Sequence, residues 1–369
     1  MTDLSLFLCG DVMLGRGIDQ ILRVPGKPKL FEAHATSALR YVQLAEELHG
    51  PIPRHVPPEY VWGDALAAMA QEKPALRIVN LETAVTTASR PWPKGINYRM
   101  HPGNVDCLTA ARINCCVVAN NHVLDWGREG LVETLDSLRR AGIRESGAGH
   151  DATEAAAPAM LAVPGGGRLL VFGFAATSSG VPQAWAAGST TPGVNLLPDL
   201  STDRAARLAG STRQLRRPGD LLMASIHWGG NWGYAIEAGQ RAFAHALIDG
   251  GFDLVHGHSS HHPKALEVHR GRLVLYGCGD FINDYEGIAG YERFRGDLSL
   301  MYFPRLDAAT GALRALRMVP VQISRFRLRR PSAGDAAWLY DVISRESRGL
   351  DTRLAPCGDG SFAIEGAAA

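Results

Sequence analysis

The sequence predicts an α/β fold in which two mixed β-sheets are sandwiched between helices. Three observations predict it. Short apolar, β-rich runs alternate with stretches whose apolar residues recur at helical spacing. Later apolar runs are joined by turns at hairpin spacing, which calls for a second sheet or antiparallel edges and favours a sandwich over a barrel. Apolar run after apolar run ends in a polar cluster, as strands of an open α/β sheet do where they meet a ligand crevice.

The elements follow in order. Leu4–Cys9 is an apolar run stopped by Gly10-Asp11 and reads as a buried strand. Trp62–Lys73 reads as a helix, with Leu66, Met69 and Ala70 on one face, and Ala75–Val79 as the next strand. Val105–Arg112 is helical and Cys115–Ala119 extended. Gly127–Ala141 is the clearest helix: Leu131, Leu135 and Leu138 recur at helical spacing and Gly142 supplies a stop. Ala159–Val163 and Leu169–Phe174 flank Gly165-Gly166-Gly167, a hairpin pattern. Ala176–Pro198, rich in Gly, Ser, Thr and Pro, reads as a long loop or lid near the site. Ser201–Arg217 is a basic amphipathic helix. Leu221–Ile226, Phe252–Val255 and Leu273–Tyr276 are strands, with a helix over Gln240–Asp249 between the first two. Leu298–Phe303 and Leu313–Phe326 are strands joined by a turn at 308–311, and Arg325, Arg327, Arg329 and Arg330 read as a solvated strand face. Trp338–Glu346 is the closing helix. The organisation expected is a catalytic domain over residues 1–330, with an insertion near 176–200, and a C-terminal helix and tail over 331–369 packed on it.

Composition excludes several classes. Of 369 residues, 46% are apolar and 20% charged, the balance of a globular protein. Lys+Arg is 38 against Asp+Glu 37, so no excess positive field exists to hold a phosphate backbone, and nucleic acid is not the expected partner. The first residues show no basic region, long apolar core or cleavage site, and no apolar run reaches the roughly 20 residues of a membrane span. A cytoplasmic protein without a membrane partner is expected. The six Cys lack CxxC pairing, and Cys115-Cys116 lies in an apolar run, so reduced, buried thiols are expected. Oligomeric state, a homo-oligomer included, stays open.

The polar clusters carry the chemistry. Gly10-Asp11, Asn80-Leu81-Glu82, Asn120-Asn121-His122 and His227-Trp228-Gly229-Gly230 each follow a strand. His256-Gly257-His258-Ser259-Ser260-His261-His262 follows another, and Asp280 follows Leu273–Tyr276. Each alone has a bland reading, because Asp and Asn commonly serve as turn or cap residues. Converging beyond the strand ends, they make a metal site with acid–base residues beside it. His150, His245 and His269 read as isolated surface residues.

Taken in order, Gly10-Asp11-Val12-Met13-Leu14-Gly15-Arg16, Asn80-Leu81-Glu82, Asn120 to Gly127, His227-Trp228-Gly229 and Gly257-His258-Ser259-Ser260-His261 resemble the CapA family, named for poly-γ-glutamate capsule synthesis. The resemblance covers about residues 4–285 and implies the calcineurin-like metallophosphoesterase fold. It implies metal-site positions at Asp11, Glu82, Asn121, His227, His258 and His261. It places His122 where phosphoesterases keep the acid that assists the leaving group, with Asp125 to orient it. Two departures stand out: Met13 occupies the place of a usual metal-ligand His, and Asp280 the place of an Asn in many CapA-like proteins. The first argues for one divalent ion rather than two, since a thioether is a poor ligand for a hard cation. Ca²⁺ or Mn²⁺ suits the donor set best, and Mg²⁺ and Zn²⁺ are compatible with it.

Three reactions compete. The CapA-like branch includes epimerases of ribosomal precursor peptides in lasso-peptide pathways, which the absence of a leader segment favours. Such chemistry needs an acid and a base on opposite faces of Cα. His122 with Asp125 would be one pair; His258 or His261 with Asp11 or Asp280 the other. The partner would be a peptide, met by Arg16, Asn80, Trp228 and Trp232. The second reading is metal-dependent hydrolysis of a phosphoester, γ-glutamyl or peptide bond. The third is a non-catalytic module binding a peptide or polymer.

Overall fold

The structure, a computed structural model, describes residues 3–365. Asp3–Val12 is the centre of the first large sheet. It runs parallel to Leu76–Leu81, antiparallel to Leu298–Asp307, and at its end parallel to Asp280–Ile282. Cys115–Val117 and Arg144–Ser146 continue the parallel side. Leu313–Ile323, Phe362–Ile364 and Leu354–Pro356 extend the antiparallel side. In the second large sheet Leu196–Leu197, Arg168–Ala176, Leu221–His227, Leu254–His258 and Arg272–Leu275 are parallel in that order. Leu266–His269 adds an antiparallel edge, and Ala159–Ala162 forms the expected hairpin with Arg168–Ala176.

Alternation along the strands of the second sheet explains the layers. Leu169, Val171, Leu221, Met223, Leu254 and Leu273 join the core that includes Leu6, Leu8 and Ile78 of the first sheet. Their neighbours Leu170, Phe172, Leu222, Ala224, Val255 and Val274 pack with Ala205 and Ala209 of the helix Thr202–Thr212 and with Phe243 and Leu247 of the helix Ala238–Asp249. With period-two side chains, near-continuous apolar runs bury both faces, one on the other sheet and one on helices. The αββα sandwich read from the sequence is the fold observed.

The differences are local. The first strand extends past Cys9 to Val12, so Gly10 and Asp11 lie within it. A Cβ at Gly10 would meet the Gly279 carbonyl oxygen at 1.6 Å, so glycine lets that backbone close in and accept from the Asp11 N–H at 2.8 Å. The expected helix at 62–73 is shorter, Ala65–Glu72, because Gly63 turns at φ 44° after a tight turn over Tyr60–Trp62. The 176–198 insertion is folded in rather than left as a loop. It carries short turns at Thr177–Ser179 and Gln183–Trp185, and Trp185 is buried against Trp92. The arginine stretch is a strand only in part: after Leu313–Ile323 the chain turns at Arg325 and Phe326, φ 61° and 55°, and Leu328–Arg329 pairs back as a short strand with Arg329 exposed. The C-terminal helix starts early, at Ala333, because Ser332 caps it, and the tail adds two strands to the first sheet. Cys9, Cys107, Cys115, Cys116 and Cys278 are buried free thiols, and Cys357 is partly exposed. Among the described residues, no helix is long and apolar enough to cross a membrane.

Candidate functional site

Strand register brings the polar clusters together. Asp11 stands opposite Asn80 on one neighbour and Asp280 on another, and in the second sheet His227 stands opposite His258. The strand ends of both sheets meet here. Asp11, His227 and His258 each present a ligand atom within 4.8 Å of the others, and so do Asp11, Glu82 and Asp280. The two groups share Asp11, so the donor set can serve one ion or two through a common carboxylate. All five of these residues are buried.

Each side chain is held by others. Asn80 Nδ2 donates to Asp11 Oδ1 at 2.7 Å, and the Ser259 N–H donates to Asp11 Oδ2 at 3.2 Å. Ser259 reaches that position with φ 100°, a conformation side chains rarely adopt, and the strain sits at the centre of the site. Asn120 Nδ2 donates to Asn80 Oδ1, and Asn120 Oδ1 accepts from the His122 and Val123 N–H groups, which fixes the 120–123 turn. His227 Nε2 lies 3.1 Å from Asn121 Oδ1 and 3.6 Å from Glu82 Oε1. The Nδ1 atoms of His227 and His258 lie 2.9 Å apart.

Two histidine–aspartate pairs flank this centre. His122 Nδ1–H donates to Asp125 Oδ2 at 2.6 Å, which leaves Nε2 facing Glu82 Oε1 at 4.0 Å. Tyr98 stacks on the His122 ring at 3.7 Å. Lys94 Nζ lies 2.7 Å from Asp125 Oδ1 and 3.2 Å from His122 Nδ1, and donates to the Asn121 carbonyl. On the other side His261 Nδ1 lies 3.0 Å from both oxygens of Asp280, which also accepts from Asn283 Nδ2 at 3.1 Å.

The electrostatics separate these groups. Burial, then the neighbouring Asp280, pushes Asp11 up to about 8 against the pull of Asn80, His261 and Ser259. Burial and the charges of Asp11 and Asp280 lift Glu82 well above the carboxylate range. Burial depresses His227 and His258, the neutral form in which imidazole ligates a metal. Burial, reinforced by Lys94, also depresses His122. His261 goes the other way: burial opposes its charge, but Asp280 and Asp11 outweigh burial and raise it.

The donors fit a divalent cation. Glu82 Oε2 is buried with no hydrogen-bond partner among the described residues, and the three buried carboxylates of Asp11, Glu82 and Asp280 crowd together with His261 on one side and Lys94 at the edge as their nearest positive charges. Carboxylate and imidazole donors around an orphaned oxygen are what such an ion satisfies.

Most residues picked from the sequence converge: Asp11, Glu82, Asn121, His122, Asp125, His227, His258, His261 and Asp280. The four proposed substrate contacts fare differently. Arg16 is 3% exposed, and its guanidinium is spent on Asp284 and Glu32 and stacks on Tyr41 at 3.8 Å, so it braces the first loop and is not open to an anion. Trp228 is buried, donates Nε1–H to the Tyr276 carbonyl and packs on Phe243; it belongs to the core. Asn80 is fully engaged in holding Asp11 and Asn120. Trp232 alone stands at the rim, 5.1 Å from the His261 ring and stacked on Tyr291 at 4.1 Å. Met13 is buried and accepts from the Gly15 N–H through sulfur at 3.1 Å, so it shapes the loop. His256 and His262, counted in the histidine cluster, are structural: His256 bonds Ser225 and the Cys9 carbonyl, and His262 stacks on Phe294. Sequence reading missed Lys94, Tyr98 and Ser259. Lys94 and Tyr98 lie in a stretch without periodicity, and nothing local marks them.

Comparison with known proteins shows the family. The family described as "Bacterial capsule synthesis protein PGA_cap" matches residues 5–285. A Mycobacterium tuberculosis protein named a probable polyglutamine synthesis accessory protein is 48% identical over 355 residues, 95% of this chain and 93% of its own length. The Bacillus subtilis PGA biosynthesis protein CapA is 25% identical over 81% of this chain and 67% of its own. The Bacillus anthracis capsule biosynthesis protein CapA is 24% identical over 87% and 67%. With its calcineurin-like metallophosphoesterase fold, the chain belongs to the bacterial capsule synthesis protein family PGA_cap.

Proposed function

We propose that this protein is a metal-dependent enzyme that hydrolyses amide bonds in a glutamyl polymer or related peptide. One observation carries the reading: two histidines, each on its own aspartate, flank one buried carboxylate–imidazole centre and are displaced in opposite directions, His122 down and His261 up. Paired groups pushed apart in this way mark the base and the acid. The names of the relatives, which speak of polyglutamine, PGA and capsule biosynthesis, support a polyamide chain as substrate.

A divalent cation held by Asp11, Glu82, Asn121, His227 and His258, Mn²⁺ or Ca²⁺ best suiting the donors, supplies Lewis-acid polarisation of the amide carbonyl when bound. The chain's own groups do the rest. His122, neutral and locked by Asp125 with its proton on Nδ1, offers Nε2 to take a proton from the attacking water. His261, charged against Asp280, donates its Nε2 proton to the leaving amine nitrogen. The C–N bond breaks, the water oxygen ends in the new carboxylate, and the two histidines exchange protons with solvent to reset. Trp232 at the rim offers a flat apolar face to the chain entering beside His261.

Epimerisation at Cα is the second reading, and the same two pairs favour it, since they can take and return a proton on opposite faces. The test is incubation with poly-γ-glutamate and glutamyl peptides in heavy-oxygen water and in deuterium oxide, with Mn²⁺ or with chelator. Metal-dependent shortening with one heavy oxygen per new carboxylate is expected. Deuterium at Cα without shortening would overturn hydrolysis in favour of epimerisation, and tight binding with neither change would make the protein a binding module.

A further inference from the structure

A second group of ligating side chains lies outside this site, between the helix Ala238–Asp249 and the edge strand Leu266–His269. The helix places His245 and Asp249 one turn apart on one face, and the strand places Glu267 and His269 two residues apart on one face. These spacings make the four side chains meet. His245, Glu267 and His269 present ligand atoms within 4.8 Å of one another. The two imidazoles stack at 3.7 Å with planes 9° apart. His269 Nε2 lies 3.0 Å from Asp249 Oδ1. The histidines that the sequence presents as isolated surface residues are therefore a pair, each facing a carboxylate.

His245 supplies a second observation. Its Nε2 is buried and lies 3.0 Å from Glu267 Oε2. The carboxylate is held from its other sides: Arg241 donates to Oε1 at 2.7 Å and the Tyr276 hydroxyl to Oε2 at 2.7 Å. Outer partners of this kind orient a ligating carboxylate and fix which lone pair stays available. Asp249 also meets Arg270 at 3.2 Å, and both arginines are substantially exposed, so their charge is screened and they can swing aside.

We propose that His245, Glu267 and His269, with Asp249, form a second divalent-metal site, and that its ion is zinc. Two partly buried imidazoles and a buried carboxylate suit zinc, whereas hard cations prefer an all-oxygen shell. The site staples the helix to the edge strand. That matters for the proposed active centre because residues 228–237, which carry Trp232, lead into this helix, and residues 259–265, which carry His261, lead into this strand. An ion here would hold both rim loops without touching substrate.

The test uses the full-length chain stripped with chelator, reloaded with Zn²⁺, desalted and weighed by native mass spectrometry. Wild type, the Asp11→Asn/Glu82→Gln variant, and each of these with His245→Ala/His269→Ala are compared. The histidine substitutions should remove one zinc per chain from either background, and X-ray absorption of zinc in Asp11→Asn/Glu82→Gln protein should show imidazole ligands that disappear with them. A milder His269→Asn change, at a side chain already part-exposed, should weaken zinc at least tenfold with an unchanged circular dichroism spectrum. Unchanged zinc content on removing both histidines, or a folded His269→Asn protein that binds zinc as wild type does, would overturn the proposal.

Discussion

Asp11 and Asp280 stand opposite each other on adjacent parallel strands, two buried carboxylates that no lysine or arginine side chain directly pairs. Burial, and then repulsion from Asp280, hold Asp11 up to about 8. The pH dependence follows by linkage. The folded pKa lies above the ordinary carboxylate value of about 4, so the stability this group contributes to the metal-free protein is present at low pH and is lost as pH rises through 8. One such group contributes a slope of up to about 1.4 kcal/mol per pH unit, and Glu82 adds to it in the same sense. In chelator, the melting temperature should fall between about pH 7 and 8, above the range in which the buried neutral imidazoles of His122, His227 and His258 act in the opposite sense; with Mn²⁺ the fall should shrink or reverse. Calorimetry in buffers of different ionisation enthalpy should show protons released on metal binding near pH 7. A flat chelator profile with no proton release would mean that these carboxylates are already compensated without an ion.

Activity should follow a bell in pH. Its acidic limb is the protonation of His122, below the ordinary imidazole value because burial depresses it; its alkaline limb is the loss of the His261 proton, above that value because Asp280 raises it. His122→Gln and His261→Gln should each lower kcat by about 10²–10⁴. The first should erase the acidic limb and the second the alkaline one. Identical effects of both substitutions on both limbs would contradict the division of roles.

Periodicity and punctuation made the sandwich legible, because buried strands must be apolar and polar clusters at their ends must go somewhere useful. The clusters holding Asp11, Glu82, His122, His227 and Asp280 were legible for that reason, and the resemblance to the CapA family singled out Asn121, His258 and His261 within theirs. What stayed hidden depends on packing between distant segments. Nothing next to Arg16 in sequence tells that Asp284 and Glu32 consume it, and nothing next to Trp228 tells that it points into the helix-side core. Lys94 sits in an aperiodic Pro-containing stretch and becomes functional only where the chain folds it against Asp125. The His245–His269 stack needs the helix and the edge strand to meet, a pairing that no local pattern specifies.

Lys94 should tune His122 rather than touch substrate. Its cation is the largest charged contribution holding His122 down, and it pairs with Asp125 at 2.7 Å. Lys94→Met removes a positive charge beside the imidazole, so the His122 pKa rises and the acidic limb of kcat moves to higher pH. Burial still holds His122 below the ordinary imidazole value, so the drop in kcat should appear on the acidic side of neutral while KM holds. The measurement is the full pH profile of both parameters; a rise in KM at constant limb position would instead make Lys94 a substrate contact.

Arg16 provides the sharpest test of structure against sequence. If it met a substrate anion, replacing it would raise KM and leave stability alone. Instead it is buried, holds Asp284 through two guanidinium contacts and Glu32 through a third at 3.2 Å, and takes φ 46° at the start of its helix. Arg16→Met would strand two buried carboxylates, and breaking a buried pair in this way costs about 3–5 kcal/mol. Arg16→Lys should recover little, because an ammonium cannot reproduce the planar fork across both partners. Urea denaturation of the metal-loaded protein should therefore show a midpoint shifted down with an unchanged slope for both variants. Whatever fraction stays folded should keep its KM. An intact midpoint with a raised KM would return Arg16 to the role of anion contact.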